Sequence, residues 1–319
     1  MSTAQEAPLA PRSVRAEQWR LRIRGFRAFG GRFGRRRDGV FGLAILLIFT
    51  ALAIAPNFFV GPLETVTTAS GGPLEPPSAA HLFGTDELGR DMLNQTVHGA
   101  RVSMSIGLLA TLITVFVGVG IGIVAGFVGG RTDNVLMRLA DFFLVLPTFV
   151  LAIILAPVIL DIIGAQASFF GLRATLLVIV IVIGITSWAV TSRIIRSQVL
   201  SIRERMFVDR ARVIGSTQSR IMRRHILPNV VNLIVAQAVI TFATAVFTET
   251  SLSFIGLGDP FSPSWGQLLD NAQSAGAPGL LAWWYIAPPA VCVVLVVLSF
   301  TLVGNALDDV LNPKTRVRT

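Results

Sequence analysis

The sequence predicts an all-α polytopic membrane protein with six transmembrane helices and both termini in the cytoplasm. Three observations carry that expectation. Of 319 residues, 53% are hydrophobic and 14% charged, where an average soluble domain carries about 25% charged residues. The apolar residues gather into runs long enough to cross the membrane, which takes about 20 helical residues. The basic residues fall almost entirely in alternate connections between those runs, as the positive-inside bias requires.

The first span is expected at 40–60. Ala53-Ile54-Ala55 within it is like a signal-peptidase site, but the basic leader is too long for an n-region and Pro56 follows directly, so a retained span is expected. The second, 102–128, carries no charge. The third, 136–160, contains Pro147 and Pro157. The fourth is expected at 174–192, the fifth at 230–248 and the sixth at 283–307. "WWY" at 283–285 falls at the outer end of the sixth, where amphipathic rings favour the headgroup zone.

Ten arginines precede the first span, Arg131 and Arg138 follow the second, nine follow the fourth, and Lys314, Arg316 and Arg318 follow the sixth. That places 24 of 27 basic residues on one side, leaving Arg90, Arg101 and Arg173 on the other. The formal charge of +9 is thereby explained without nucleic acid. Residues 1–38 read as a basic cytoplasmic segment with partly disordered character, its arginines held against anionic lipid headgroups. Residues 39–100 hold the first span and an extracytoplasmic loop, 101–307 the five-helix transmembrane domain, and 308–319 a cytoplasmic tail.

Enzyme chemistry has no evident home. The single lysine, Lys314, excludes a P-loop, which needs one beside its glycines. Cys292 is the only cysteine, so no intrachain disulfide is expected and a cysteine metal site is disfavoured. His81, His98 and His225 are scattered, and neither H-E-x-x-H nor G-x-S-x-G occurs. No catalytic residue, metal site or cofactor is expected in this chain.

The stretch "FVDRARVIGSTQSRIMRRHILPN", 207–229, holds five arginines between two apolar segments. Helical character runs over 194–214. Gly215 suits a C′ position that takes positive φ, Ser216 an N-cap, and Pro228 a stop before the fifth span. Val213, Ile214, Ile221, Met222, Ile226 and Leu227 then form an apolar ridge. Such a ridge either docks another protein or packs on the chain's own spans.

This stretch resembles the EAA loop of ABC-importer permeases, in which Glu-Ala-Ala is followed after three residues by Gly, and nine residues later by Ile, one residue and Leu-Pro. Here the pattern reads Asp209-Arg210-Ala211, Gly215, and His225-Ile226-Leu227-Pro228. It departs in a shortened acid, an arginine for the first alanine and a histidine for the isoleucine. "HLFGTDELGRDMLNQTVHGARVSMSIG" (81–107) and "SLSFIGLGDPFSPSWGQLL" (251–269) resemble segments of the C-type permeases of the dipeptide/oligopeptide/nickel branch. The likeness runs from about residue 35 to residue 313.

The resemblance implies a type I importer permease fold and an ATPase-coupling loop at about 205–228. In that loop Asp209, Arg210, Ala211, Ile214, Gly215, Ser216, Ile221, Met222, Arg224, Leu227 and Pro228 would meet the ATPase. It also implies a second homologous permease, two ATPase subunits that bind ATP and Mg, an extracytoplasmic substrate-binding protein, and a bacterial cytoplasmic-membrane location. Short peptides are the favoured cargo, with nickel chelates and other small solutes of the same branch as the alternative. Outside that class stands an ion-coupled secondary transporter, which needs charged relays near the midplane.

Some residues read two ways. Glu249, with Ser251 beside it, either lines the pathway or is a structural partner near the outer mouth. Gly118, Gly122 and Gly126 form a small-residue row that packs either within the chain or against a second permease. Thr85-Asp86-Glu87 reads as a helix start, with Arg90 paired to Asp86 or Glu87. Asp141 reads as the i,i+3 partner of Arg138, and Trp265–Leu269 as a segment along the outer interface.

Overall fold

A computed structural model of the chain describes residues 30–164, 167–169 and 172–311. The expectations for the leader ahead of residue 30 and for the Asn-Pro tail lie outside the described residues. The helices are α1 (Arg37–Ile54), α2 (Pro56–Val60), α3 (Met92–Val128), α4 (Gly130–Val145), α5 (Thr148–Ile163), α6 (Ala174–Arg203), α7 (Met206–Val213), α8 (Gln218–Leu257), α9 (Trp265–Ser274) and α10 (Trp283–Leu311). A two-residue hairpin, β1 (Ser168–Phe169) with β2 (Leu172–Arg173), precedes α6. Among the described residues, five helices are long and apolar enough to cross a membrane, and α4 with α5 makes a sixth, broken span.

That break corrects the single third helix expected at 136–160. Pro147 has no N–H to continue the ladder and pushes Leu146 into extended backbone (φ −77°, ψ 128°), so α4 and α5 meet at 93°. Pro157 is carried inside α5 without ending it. The opposite happens at Pro228. No stop precedes the fifth span, because the turn Met222–Ile226 widens to π geometry and α8 runs on through Pro228 until Ile255 and Gly256 (φ +86°) kink it. Asn229 Nδ2 donates to the His225 carbonyl at 2.6 Å within that turn.

Helix α3 is the axis of the bundle and lies parallel to α6. Ile113 meets Gly184, Gly118 meets Thr191, and Gly126 meets Val199. The glycine row therefore packs inside this chain, its missing side chains letting the backbones approach. Helices α1 and α10 run antiparallel, Gly39 against Ala306 and Gly42 against Val303. Arg36 and Asp309 close that pair at 2.7 Å. They lie at the same end of the bundle as the α6–α8 connection, termed here the basic end.

The far end is built from 61–91 and 258–282. Helix α3 begins at Met92, later than the start expected at Thr85, because Asp91 caps it by accepting the N–H groups of Leu93 (2.6 Å) and Asn94 (3.1 Å). Residues 85–91 are instead a turn around buried Asp86, which accepts the Leu88 and Arg90 N–H groups and pairs with Arg90 Nε at 2.6 Å. Glu87 takes the hydroxyl of Tyr285, so Tyr285 is fully buried and only Trp283 of the WWY run stands well exposed. Trp265 is buried too, donating from Nε1 to the Thr96 carbonyl at 3.0 Å, where an interfacial position was expected. Asp141 pairs with Arg193 on α6; the local partner expected, Arg138, is displaced because α4 lies against α6.

Candidate functional site

Two features stand out, one at the basic end and one on the flank of the bundle. At the basic end, α7 closes with both hydrogen bonds of a Schellman motif: Ser216 N–H to the Ala211 carbonyl (3.0 Å) and Gly215 N–H to the Arg212 carbonyl (2.9 Å). Gly215 holds φ +74°. Since Ser216 spends its N–H closing that motif, the cap of α8 falls one residue later. Thr217 accepts the Arg220 N–H at 3.4 Å, which corrects the cap expected at Ser216.

The apolar ridge expected along this stretch divides in two. Val208, Ala211, Ile221 and Ile226 are buried with Phe127, Ile195, Val199 and Ile202 at the ends of α3 and α6, and Met222 packs partly against them. Arg203 Nη1 reaches the Gly126 carbonyl (3.3 Å), and Arg212 lies over the Phe127 ring. Val213 and Ile214 are instead 89% and 81% exposed. They form an apolar tip with exposed Arg210, Arg212 and Arg220 nearby in sequence. Asp209 pairs with Arg212 at 3.1 Å, while Arg224, Leu227 and Pro228 line the exposed side of α8. The turn is thus anchored by one half of its apolar residues and leaves the other half exposed.

On the flank, a cleft of about 480 Å³ opens between α5, α6 and α8. Helix α8 gives it Gln237, Thr241, Thr244, Thr248 and Ser251, alternately four and three residues apart, so that all fall on one helix face. Thr186, Ser187 and Thr191 come from α6, and Thr148 from the bend at Pro147. Among the described residues, no charged side chain lines it. Thr186, Thr244, Thr248 and Ser251 each donate to the carbonyl four residues earlier, at 2.8, 3.0, 2.8 and 2.8 Å respectively. Their donors are therefore committed and their lone pairs remain to accept. This row escaped the sequence reading although its spacing within an apolar run was a visible signal.

Ser251 lines the cleft and Glu249 does not. Two residues are about 200° apart around a helix, so Glu249 turns inward, fully buried. It accepts from Ser253 Oγ at 2.9 Å, and the hydroxyls of Ser103 on α3 and Ser264 ahead of α9 lie near its carboxyl. Glu249 thus lies away from the cleft, on the side of α8 that faces α3 and the far-end segment.

A bundle of six spans with an uncharged polar cleft on its flank and an apolar, arginine-ringed turn at one end has the form of a membrane-spanning transport subunit. The chain belongs to the family described as binding-protein-dependent transport system inner membrane component, whose pattern matches residues 118–317. It is 37% identical to the dipeptide transport system permease protein DppC of Bacillus subtilis over 290 residues, 89% of this chain and 84% of that one. It is 35% identical to the oligopeptide transport system permease protein OppC of the same organism, covering 89% and 88%. The di/tripeptide transport system permease protein DppC of Pseudomonas aeruginosa is 34% identical, covering 89% and 90%. Among solved structures, an inward-facing conformation of the MetNI methionine ABC transporter matches with TM-score 0.55 at 18% identity, over 70% of this chain and 98% of that one, a likeness of fold. The protein is thus a multi-pass inner-membrane permease subunit of an ABC importer, and its family implies an ATPase and a binding protein as partners.

Proposed function

We propose that this chain carries short peptides across the cytoplasmic membrane, with the basic end and both termini in the cytoplasm. The orientation is supported by the 24 of 27 basic residues that fall on that side. The peptide cargo is supported by the relatives' own activities and by the character of the cleft. A wall of hydroxyl oxygens with free lone pairs accepts hydrogen bonds from peptide N–H groups whatever the side chains are. A cleft open on the flank of one permease is completed by a second, homologous permease, and the two ATPases of the assembly bind ATP and Mg.

Coupling follows from the continuity of α8. The observation that carries the proposal is one helix running from the basic turn at Gln218 to a kink at Ile255 and Gly256, with the polar row along it. When nucleotide closes the ATPases around the Val213–Ile214 tip, motion of the turn reaches the cleft without an intervening hinge. The cleft then opens alternately to the two sides, loaded from the binding protein outside.

Replacing Thr244 and Thr248 by valine keeps their volume and removes two acceptors. In proteoliposomes holding the whole transporter, dipeptide uptake should show a half-saturation concentration raised about 2- to 10-fold per lost hydrogen bond. Uptake kinetics equal to wild type would remove α8 from the substrate path.

A further inference from the structure

The two flank arginines at the far end point to a ligand. Arg101 is the last charge before the uncharged run 102–128 of α3, and Arg173 immediately precedes the apolar start of α6. The parallel register that sets Gly118 against Thr191 and Gly126 against Val199 also sets Arg101 level with Arg173. Both line a cavity of about 280 Å³ between the two helices, with Ser105 and Ser262 beside them and Leu109 and Leu176 beneath.

Two guanidiniums lining one small cavity at the rim of a low-dielectric region repel one another, and an anion between them relieves that repulsion. Asp259 supplies part of that charge, 3.6 Å from Arg173 Nε, but it also takes the Ser262 hydroxyl at 2.8 Å. Phe261 covers the other face of the Arg173 guanidinium, 4.5 Å from its ring centre, which fixes that side chain in place. Arg101 is exposed, and no ion pair to it is present among the described residues. One positive charge is left over at the mouth.

Below the mouth, the same face of α3 continues through exposed Leu108, Leu112 and Phe116. A cationic mouth above an apolar groove matches a molecule with a phosphate at one end and a hydrocarbon chain at the other. We infer that this cavity binds an anionic phospholipid, its phosphate held by Arg101 and Arg173 and one acyl chain laid along the α3–α6 groove. Arginine suits that task because its planar fork meets phosphate oxygens in pairs. The site lies between α3 and α6, apart from the cleft between α5, α6 and α8, and does not depend on the peptide reading.

The test uses the whole transporter, delipidated in detergent and titrated with phosphatidylglycerol or phosphatidylcholine while retained lipid is counted by native mass spectrometry. Wild type should hold phosphatidylglycerol in preference to phosphatidylcholine. Arg101→Gln, which breaks no ion pair, should weaken phosphatidylglycerol binding about fivefold, the worth of one arginine at a membrane surface. Leu109→Trp fills the groove, leaves both arginines in place, and should weaken it as well; monodisperse elution of each variant shows that it is folded. Equal phosphatidylglycerol retention in Arg101→Gln and wild type overturns the proposal. So does full retention in Leu109→Trp together with displacement of the lipid by glycerol phosphate, which would mark a free phosphate site. Loss of the binding protein or of another subunit from Arg101→Gln, with lipid unchanged, would assign the arginine to a protein contact instead.

Discussion

Gly122→Leu is expected to prevent assembly of a stable transporter. A Cβ at that position would lie 2.6 Å from the Ser192 carbonyl oxygen and 2.9 Å from Ile195 Cβ, and leucine adds three further carbons. The obstacle is helix backbone, which no rotamer change relieves, so the α3–α6 pair must separate along much of its length. Overpacking of a core typically costs about 1–3 kcal/mol, and the upper end is expected here. Gly118 and Gly126 are as tightly placed, with a Cβ 2.7 Å from Thr191 and 2.9 Å from the Arg196 carbonyl. Gly120 on the other side has nothing within 4 Å, so Gly120→Leu is the matched control and should assemble normally. The yield of monodisperse complex and its thermal midpoint distinguish the two. Equal behaviour of both variants would contradict the packing.

Replacing Val213 and Ile214 together by aspartate should abolish coupled transport while leaving the permease folded. Both side chains are mostly solvent-exposed, and surface changes of this kind usually stay within about 0.5 kcal/mol of the parent. If the ATPase buries them, each contributes roughly 1.5–3 kcal/mol of apolar transfer, and losing both weakens the contact by at least about 100-fold. The measurement is the amount of ATPase subunit that co-purifies with the variant permease. Wild-type amounts of bound ATPase would place the contact elsewhere.

The two halves of this stretch show how far the sequence could be read. Gly215, the turn and the apolar character were legible because glycine at a helix end and hydrophobic periodicity are local signals. Which apolar residues face inward was not, since burial of Ile221 and Ile226 depends on Phe127 and Val199, far away in sequence. The cap moved from Ser216 to Thr217 for a similar reason, the Ser216 N–H being committed to closing the preceding helix.

Hydropathy located the spans but underestimated them. Residues 92–101 are polar yet helical: Asn94 Nδ2 donates to the Val60 and Pro62 carbonyls at 3.0 and 2.9 Å, and Gln95 Nε2 to the Glu64 carbonyl at 2.8 Å. A window that seeks apolar residues ends where such tethers begin. Pro147, expected inside a span, bends the chain sharply, and Pro228, expected as a stop, is absorbed by a π turn. Composition weighs a buried carboxylate heavily, so Glu249 drew attention away from the hydroxyl row on the opposite side of the same helix.

Coupling rests on the proposed contact between the Val213–Ile214 tip and the ATPase. It is tested most directly by attaching a benzophenone photocrosslinker to Ile214→Cys in a Cys292→Ser background, within the assembled transporter. An adduct between the permease and the ATPase subunit is the expected result, absent when the probe is moved to exposed Val66 at the far end. Adducts only with lipid or with the permease itself would contradict the account.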